Sequence, residues 1–411
     1  MEIVDSRYRI QGLDVEDLTR KYGTPLYVYD GSVIARQVQL MRTAFSGLDM
    51  RIKYAAKALT NISILKLMRS LGVDLDVVSK QELQLALAAG YKTNELQFTP
   101  NCVDFDEIKW AADQHVQVTI DNIPMLDKFG ETYGSSKPCC IRFNPHIMAG
   151  GHLKISTGHI DSKFGISVLQ LSEIMEIVNR HGMRINGLHI HTGSDILDTE
   201  VFLKGASILL GIAENFPELD YIDFGSGFKV SYQEGDPATD IVDLGKQLGT
   251  VFNDFCDTYG RPLQLWFEPG KFLVSEAGTL LVNANVVKTT PATVFVGVDS
   301  GMNHLLRPMM YDSHHEMVNI SNLNGHTRVY AVVGYICETD TLGWNVTLNE
   351  VTAGDIIAIK NAGAYGFSMA SNYNSRLRPA EVLVLDGNSH LIRRRETLDD
   401  LLATQVDISE L

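Results

Sequence analysis

Arg51-Ile-Lys-Tyr-Ala-Ala-Lys57 is a β-prone run closed by a lysine, and its reading decides the fold because the same kind of run keeps returning. Apolar or β-branched stretches begin near Arg51, Val73, Glu95, Val116 and Pro138, about 22 residues apart, and three more begin near Asn186, Asp220 and Leu263. Helical patterns fill the gaps: Ile62-Ser-Ile-Leu-Lys-Leu-Met-Arg69, Glu82-Leu-Gln-Leu-Ala-Leu-Ala-Ala89 and the apolar-periodic stretch from Val168 to Val178. Strands alternating with helices imply βα units and a parallel sheet. Eight strands suggest a closed (β/α)8 TIM-type barrel, whose chemistry sits at the C-terminal strand ends. An open doubly wound sheet gives a similar repeat.

After about Phe272 the helical periodicity fades. Thr279-Leu-Leu-Val-Asn283, Val294-Phe-Val-Gly-Val298, Thr327-Arg-Val-Tyr-Ala-Val-Val333, Asp355-Ile-Ile-Ala-Ile359 and Glu381-Val-Leu-Val-Leu385 read as an antiparallel β domain. A chain of 411 residues is long for one core. We therefore expect an N-terminal segment (1–30) packing with the β domain, a barrel (31–272) and a C-terminal β domain (273–411), since chain termini often lie close together.

The net charge of −15 argues against nucleic-acid or anionic-membrane partners. No apolar run is long enough to span a bilayer. The opening Met1-Glu-Ile-Val-Asp-Ser-Arg-Tyr-Arg-Ile10 is charged and has no apolar stretch of signal-peptide length. Five cysteines without regular spacing fit a reducing compartment better than a disulfide framework. A cytoplasmic location is the expectation.

Polar motifs sit at the strand ends. Side chains alternate along a strand, so Lys53, Ala55 and Lys57 are expected on one face, small and polar, as a barrel interior with room for a ligand requires. A lysine at the end of a strand is most often simply solvated, but a desolvated amine there can condense with a carbonyl. His189 and His191 share a face by the same parity. As a metal pair they need further inward-facing His or Asp ligands; none was convincing, and no metal is expected. Thr192-Gly-Ser194 and Gly225-Ser226-Gly227 supply free backbone N–H groups suited to phosphate, although a glycine pair after a strand is often only a tight turn. Glu268, beside Pro269 and Gly270, is rigidly placed: either a salt-bridge partner or a carboxylate for a pyridine nitrogen. Together these residues are the inventory that holds pyridoxal 5'-phosphate on a lysine. Arg307-Pro-Met-Met-Tyr311, if helical, puts a guanidinium and a phenol on one face, able to clamp a carboxylate. Gly334-Tyr-Ile-Cys-Glu338 places a thiol beside a carboxylate at a strand end.

Over nearly the whole chain these motifs resemble the fold-type III pyridoxal-phosphate decarboxylases, in particular the branch acting on diaminopimelate, with relatives in ornithine decarboxylase and alanine racemase. The matching pieces are Tyr54-Ala-Ala-Lys-Ala58, Asp76-Val-Val-Ser79, Thr157-Gly158 with Ser162-Lys-Phe-Gly165, His189-Ile-His-Thr-Gly-Ser194, Glu268-Pro-Gly270, Cys337-Glu338, and Gly363-Ala-Tyr365 through Arg378-Pro-Ala-Glu-Val382. The resemblance implies a homodimer with shared active sites. It implies Lys57 as the lysine carrying the cofactor, His191 stacked on its ring and Glu268 against its nitrogen. Ser194, Gly225, Ser226, Gly227, Pro269, Gly270, Lys271 and Tyr365 would complete the cofactor site. Lys271, Arg307, Tyr311, Glu338 and Tyr365 would bind substrate, Arg307 gripping its far carboxylate. Cys337 and Glu338 would reach the active site of the partner subunit, Cys337 as the acid that returns a proton.

The implied activity is decarboxylation of the amino acid meso-2,6-diaminopimelate to L-lysine and CO2, the last step of lysine biosynthesis. Departures from the family pattern are Lys271 for the usual arginine, Ser226 in a usual Gly-Gly-Gly loop, and Cys337-Glu-Thr-Asp-Thr341 for Cys-Glu-Ser-Gly-Asp. An ammonium binds an anion as a point charge where a guanidinium binds through two bonds. The competing readings are a carboxynorspermidine- or ornithine-type decarboxylase, a non-catalytic pyridoxal-phosphate-binding protein, and a metal-dependent barrel hydrolase built on His189 and His191.

Overall fold

A computed structural model describes residues 1–147, 158–233 and 235–408. Thr157, one of the family-matching positions, lies outside the described residues. The chain divides into two compact units, one of residues 1–35, 232–236 and 274–411, the other of 36–231 and 237–273.

The second unit is the barrel. Its strands are β1 (Met50–Ala55), β2 (Asp74–Val77), β3 (Leu96–Phe98), β4 (Gln117–Ile120), β5 (Cys139–Asn144), β6 (Ile185–Ile190), β7 (Tyr221–Asp223) and β8 (Gln264–Phe267). Each pairs in parallel with the next, and β8 pairs with β1, which closes the ring. The eight apolar runs of the sequence are these eight strands, and closure excludes the open-sheet alternative. A ninth short strand, Ile166–Ser167, pairs with β5.

Local chemistry starts the helices between the strands. Asn61, Ser79, Asp104, Asn122, Asp198 and Asp240 each accept a backbone N–H at the first turn of the following helix. A short polar side chain there satisfies donors that the helix leaves unpaired. The helices so begun include Ile62–Ser70, Lys80–Ala88 and Ile241–Tyr259. Ile62–Ser70 and Lys80–Ala88 start within a few residues of their strands, whereas Ile241–Tyr259 starts only after a longer connection that includes Gly225-Ser226-Gly227.

The first unit is built on Gly278–Thr289, a 12-residue strand. It pairs antiparallel with Leu26–Asp30, Val294–Val298 and Ile356–Ile359. The N-terminal strand Leu26–Asp30 lies between Gly278–Thr289 and Ala380–Leu385, parallel to the latter. Val294–Val298 and Thr327–Val333 are also parallel. The expected antiparallel domain is thus an antiparallel-rich sheet with two parallel pairings, each between strands that a long stretch of chain separates. Ile10, Leu18, Leu26 and Val28 share one buried cluster with Leu281, Ala358, Val382 and Val384. Burying a side chain of this kind contributes roughly 1.5–3 kcal/mol, and that couples the N-terminal segment to the C-terminal strands.

Candidate active site

Strand β1 ends at Ala55, and Lys57 lies in the 3-10 turn Ala56–Ala58 that follows. The alternation that put Lys53 and Lys57 on one face therefore stops short of Lys57. Lys53 is fully buried, its Nζ 3.0 Å from Asp74 Oδ2 and 4.2 Å from the centre of the Trp266 ring. The face expected to leave room for a ligand is filled at that level. Lys57 stands one turn further on, its Nζ 3.2 Å from Asp76 Oδ2. The Ala55 N–H donates to the carbonyl of Pro269, which fixes this turn beside the Glu268-Pro-Gly270 loop after β8.

Glu268 is buried at the centre of a polar network that crosses the barrel interior. His189 Nε2 lies 3.1 Å from Glu268 Oε2. The Gln97 amide donates to Glu268 Oε1 at 3.2 Å, to Asp223 Oδ2 at 3.0 Å and to Thr119 Oγ1 at 3.3 Å. Burial opposes ionisation of Glu268, but His189, Lys57 and Arg142 outweigh it and hold its carboxyl well below the usual range. Burial and the neighbouring Glu268 push the Asp223 carboxyl up to about 7. The same two causes raise Asp76, against the opposing charge of Lys57. Glu268 is the ionised member of the set, as a partner for a protonated ring nitrogen must be.

His191 follows the end of β6. Burial and the Arg142 guanidinium push its imidazole well below its ordinary range, so the ring is neutral at pH 7. Its Nδ1 accepts the Ser226 backbone N–H at 3.3 Å. Gly225 and Gly227 have φ of +62° and +104°, whereas Ser226 is not in the left-handed region. Only the flanking positions of this turn need glycine, so the serine is accommodated. A Cβ on Gly225 would stand 2.6 Å from the Ile190 carbonyl, and one on Gly227 2.1 Å from that of Gly193. The two glycine turns pack backbone to backbone. Asp223 Oδ1 accepts the Gly225 N–H at 2.8 Å, and the Glu268 N–H donates to the Gly225 carbonyl at 2.6 Å.

A lysine, a neutral imidazole, an ionised buried carboxylate and a glycine cradle, all at the C-terminal strand ends, fit a pyridine aldehyde carrying a phosphate. The barrel thus has the layout of a pyridoxal-phosphate enzyme. Ser194 and Gly270 stand on the loops just named. Lys271 Nζ is 2.5 Å from Asp195 Oδ1.

The remaining predicted residues belong to the sheet unit. Arg307 opens the short helix Arg307–Tyr311, with its guanidinium 5.7 Å from the ring centres of Tyr311 and Tyr232 and 3.2 Å from Ser313 Oγ. The helix puts Arg307 and Tyr311 together, as their spacing predicts. Cys337 is exposed, its Sγ 3.3 Å from Asn374 Oδ1. Glu338 accepts the Tyr373 hydroxyl at 2.8 Å. Tyr365 has a positive φ of +55°.

Sequence reasoning missed Asp223, Gln97 and Arg142 as parts of the network. It also found no third ligand for a metal reading, yet His189, Asp223 and Glu268 bring ligand atoms within 4.8 Å of one another. The hydrogen bonds from Gln97 and His189 account for that convergence. A polar residue on the inward parity of an apolar run was the available signal, and Asp223 and Arg142 both carry it.

The profile of the pyridoxal-dependent decarboxylases, pyridoxal binding domain, matches residues 31–275. The chain belongs to this family. It is 37% identical to the diaminopimelate decarboxylase of Methanothermobacter thermautotrophicus, over 96% of this chain and 95% of that one. The crystal structure of diaminopimelate decarboxylase from Methanocaldococcus jannaschii superposes with a TM-score of 0.91 at 32% identity, covering 100% of this chain and 98% of that one. That of the Helicobacter pylori enzyme, complexed with L-lysine, gives 0.87 at 32% identity, with coverage of 95% and 98%.

Proposed function

We propose that this chain is a carboxy-lyase that converts meso-2,6-diaminopimelate to L-lysine and CO2, working in the cytoplasm as a homodimer. The observation that carries the reading is the 37% identity to a diaminopimelate decarboxylase over 96% of the chain, which spans both units. Among the described residues no helix is long and apolar enough to cross a membrane.

Bound pyridoxal phosphate supplies an electron-poor ring that accepts the electron pair left behind as CO2 departs. Lys57 would hold it, and Asp76, 3.2 Å away, would steady the ammonium. Glu268 would keep the ring nitrogen protonated, because His189 and the surrounding cations hold it ionised. His191, neutral and fixed by the Ser226 N–H, would cover one ring face. The backbone of Ser194, Gly225, Ser226, Gly227 and Gly270, with the Tyr365 hydroxyl, would hold the phosphate. Arg307 and Tyr311 would take the far carboxylate, and Glu338 the far ammonium. Cys337 would return a proton at the carbon that loses CO2.

The test is CO2 release from the loaded protein offered meso-diaminopimelate, ornithine and carboxynorspermidine in parallel. Release from diaminopimelate alone, with lysine formed, is expected. Release from one of the others alone overturns the substrate assignment, and release from none overturns the enzymatic one.

A further inference from the structure

Between the strands Thr327–Val333 and Thr341–Asn349 the sheet unit makes a tight turn that carries Cys337 and Glu338. Cys337, Glu338 and Thr339 are exposed, and the residues that bracket them, Ile336 and Asp340, are buried. Asp340 fastens this turn. Its Oδ2 accepts the Ile336 N–H at 3.1 Å and its Oδ1 the Met302 N–H at 2.6 Å. Its carbonyl accepts the Gly334 N–H at 2.7 Å, and its own N–H donates to the Glu338 carbonyl at 2.8 Å. A Cβ on either Gly301 or Gly334 would overlap Asp340 Oδ2, so the carboxylate fills a slot that two glycines leave open.

Burial raises the Asp340 pKa, and the Ile336 and Met302 N–H groups act against that rise. A buried carboxylate is costly unless its oxygens are hydrogen-bonded. What it adds over a neutral side chain is two acceptors in one rigid plane, here used for N–H groups on two separate segments. The Met302 segment leads into the helix Arg307–Tyr311, with the Gly301 carbonyl accepting the His304 and Leu305 N–H groups at 2.9 and 3.1 Å. Asp340 therefore ties the Cys337 turn to the segment that carries Arg307. The thiol itself is held from another side, where the Asn374 amide donates to Cys337 Sγ at 3.2 Å. The aspartate follows Cys337 by three residues, against four in the family pattern, so the departure seen in the sequence falls on the residue that fastens the turn.

We propose that Asp340 is a positioning residue for the reaction: through the Ile336 and Met302 N–H groups it sets where Cys337 stands relative to the Arg307 helix. This rests on the decarboxylase reading above, in which Cys337 returns the proton. Asp340 touches neither substrate nor cofactor in this role and acts only through the backbone of the turn. The leverage is large, because displacing a reacting group by about 1 Å can cost roughly 10²-fold in rate.

The experiment uses the pyridoxal-phosphate-loaded full chain as wild type, Asp340→Asn, Gly301→Ala and the double variant. Asparagine keeps the shape but offers one acceptor oxygen to two N–H groups. A methyl group at Gly301 pushes the carboxylate out of its slot. Each protein is assayed well below its unfolding midpoint for CO2 release from meso-diaminopimelate. The rate at which iodoacetamide modifies Cys337 is followed in parallel by peptide mass spectrometry. Asp340→Asn is expected to lower kcat by about tenfold to a hundredfold and to speed Cys337 modification by about threefold or more, with the cofactor retained. Gly301→Ala should do the same, and the double variant should be no worse than either single one, since both act through one carboxylate. If either readout stays within about twofold of wild type in Asp340→Asn, the proposal is overturned and the residue is only a brace of the turn. Losses that add in the double variant would overturn it too. Should Asp340→Asn fail to fold, Gly301→Ala decides by the same two readouts. Failure of the decarboxylase reading shows separately, as absence of CO2 from meso-diaminopimelate in the wild type.

Discussion

Two lysines near the end of β1 each face an aspartate of β2, yet only one stands beyond the strand in the open. Lys53 Nζ meets Asp74, and Lys57 Nζ meets Asp76, at 3.0 and 3.2 Å. The Lys53 side chain is 1% exposed and lies over Trp266, which stacks on Tyr221 at 3.5 Å between ring centres. Desolvation lowers the Lys53 pKa, against the pull of Asp74. Lys57 is 43% exposed, beyond the strand, beside the glycine turns and Glu268. The same pair of residue types therefore braces the barrel at one level and, on the function proposed above, offers a nucleophile at the other. What separates them is their surroundings, aromatic and closed in one case, polar and open in the other, as expected of the two ends of this kind of barrel.

Substitutions at the two levels should part accordingly. Lys57→Ala should reduce turnover by roughly 10³-fold or more and let the cofactor pass through a desalting column, with the unfolding midpoint nearly unchanged. Retained turnover would erase the distinction. Glu268→Gln should lower kcat by roughly 10²-fold with little change in KM, since in the proposed role it removes charge facing the ring but not substrate contacts. A matching rise in KM would instead place Glu268 among the substrate groups. Lys53→Met should do the reverse of Lys57→Ala, leaving kcat within about twofold while costing roughly 2 kcal/mol in urea unfolding. That figure is below the usual cost of breaking a buried pair because Asp74 keeps some solvent contact.

The smallest effect concerns pH. Folded Asp223 keeps its proton up to about pH 7, whereas an unfolded aspartate loses it near 4. Between those values the folded state binds more protons, so this group makes stability fall as pH rises through the window. Glu268, with a depressed value, contributes stability that is lost only as pH falls below the ordinary carboxylate range, outside that window. Asp223→Asn should flatten the slope between about pH 5 and about pH 7 by up to about 1.4 kcal/mol per pH unit. Identical slopes in urea unfolding of variant and wild type would contradict the assignment.

The barrel was legible in the sequence because each strand is a short apolar run and each helix opens on a polar cap, both local signals. Glu268 and the glycine turns were legible because rigid or left-handed backbone restricts residue choice. The expectation that alternation places Lys57 holds only in part, since the strand ends at Ala55 and a 3-10 turn carries the lysine onward. The position of Leu26–Asp30 between two C-terminal strands was beyond reach, as such pairing joins residues far apart in the chain, such as Leu26 with Leu281, and leaves no local trace. Gln97, Asp223 and Asp195 escaped for a related reason: each takes its meaning from partners on other strands or loops.

The most direct test of the central claim is to load the protein with pyridoxal phosphate, reduce it with borohydride and map the modified lysine by peptide mass spectrometry. The account predicts the reduced cofactor on Lys57, with the peptide positions of Lys53 and Lys271 unmodified. Modification at another lysine, or none, would contradict it.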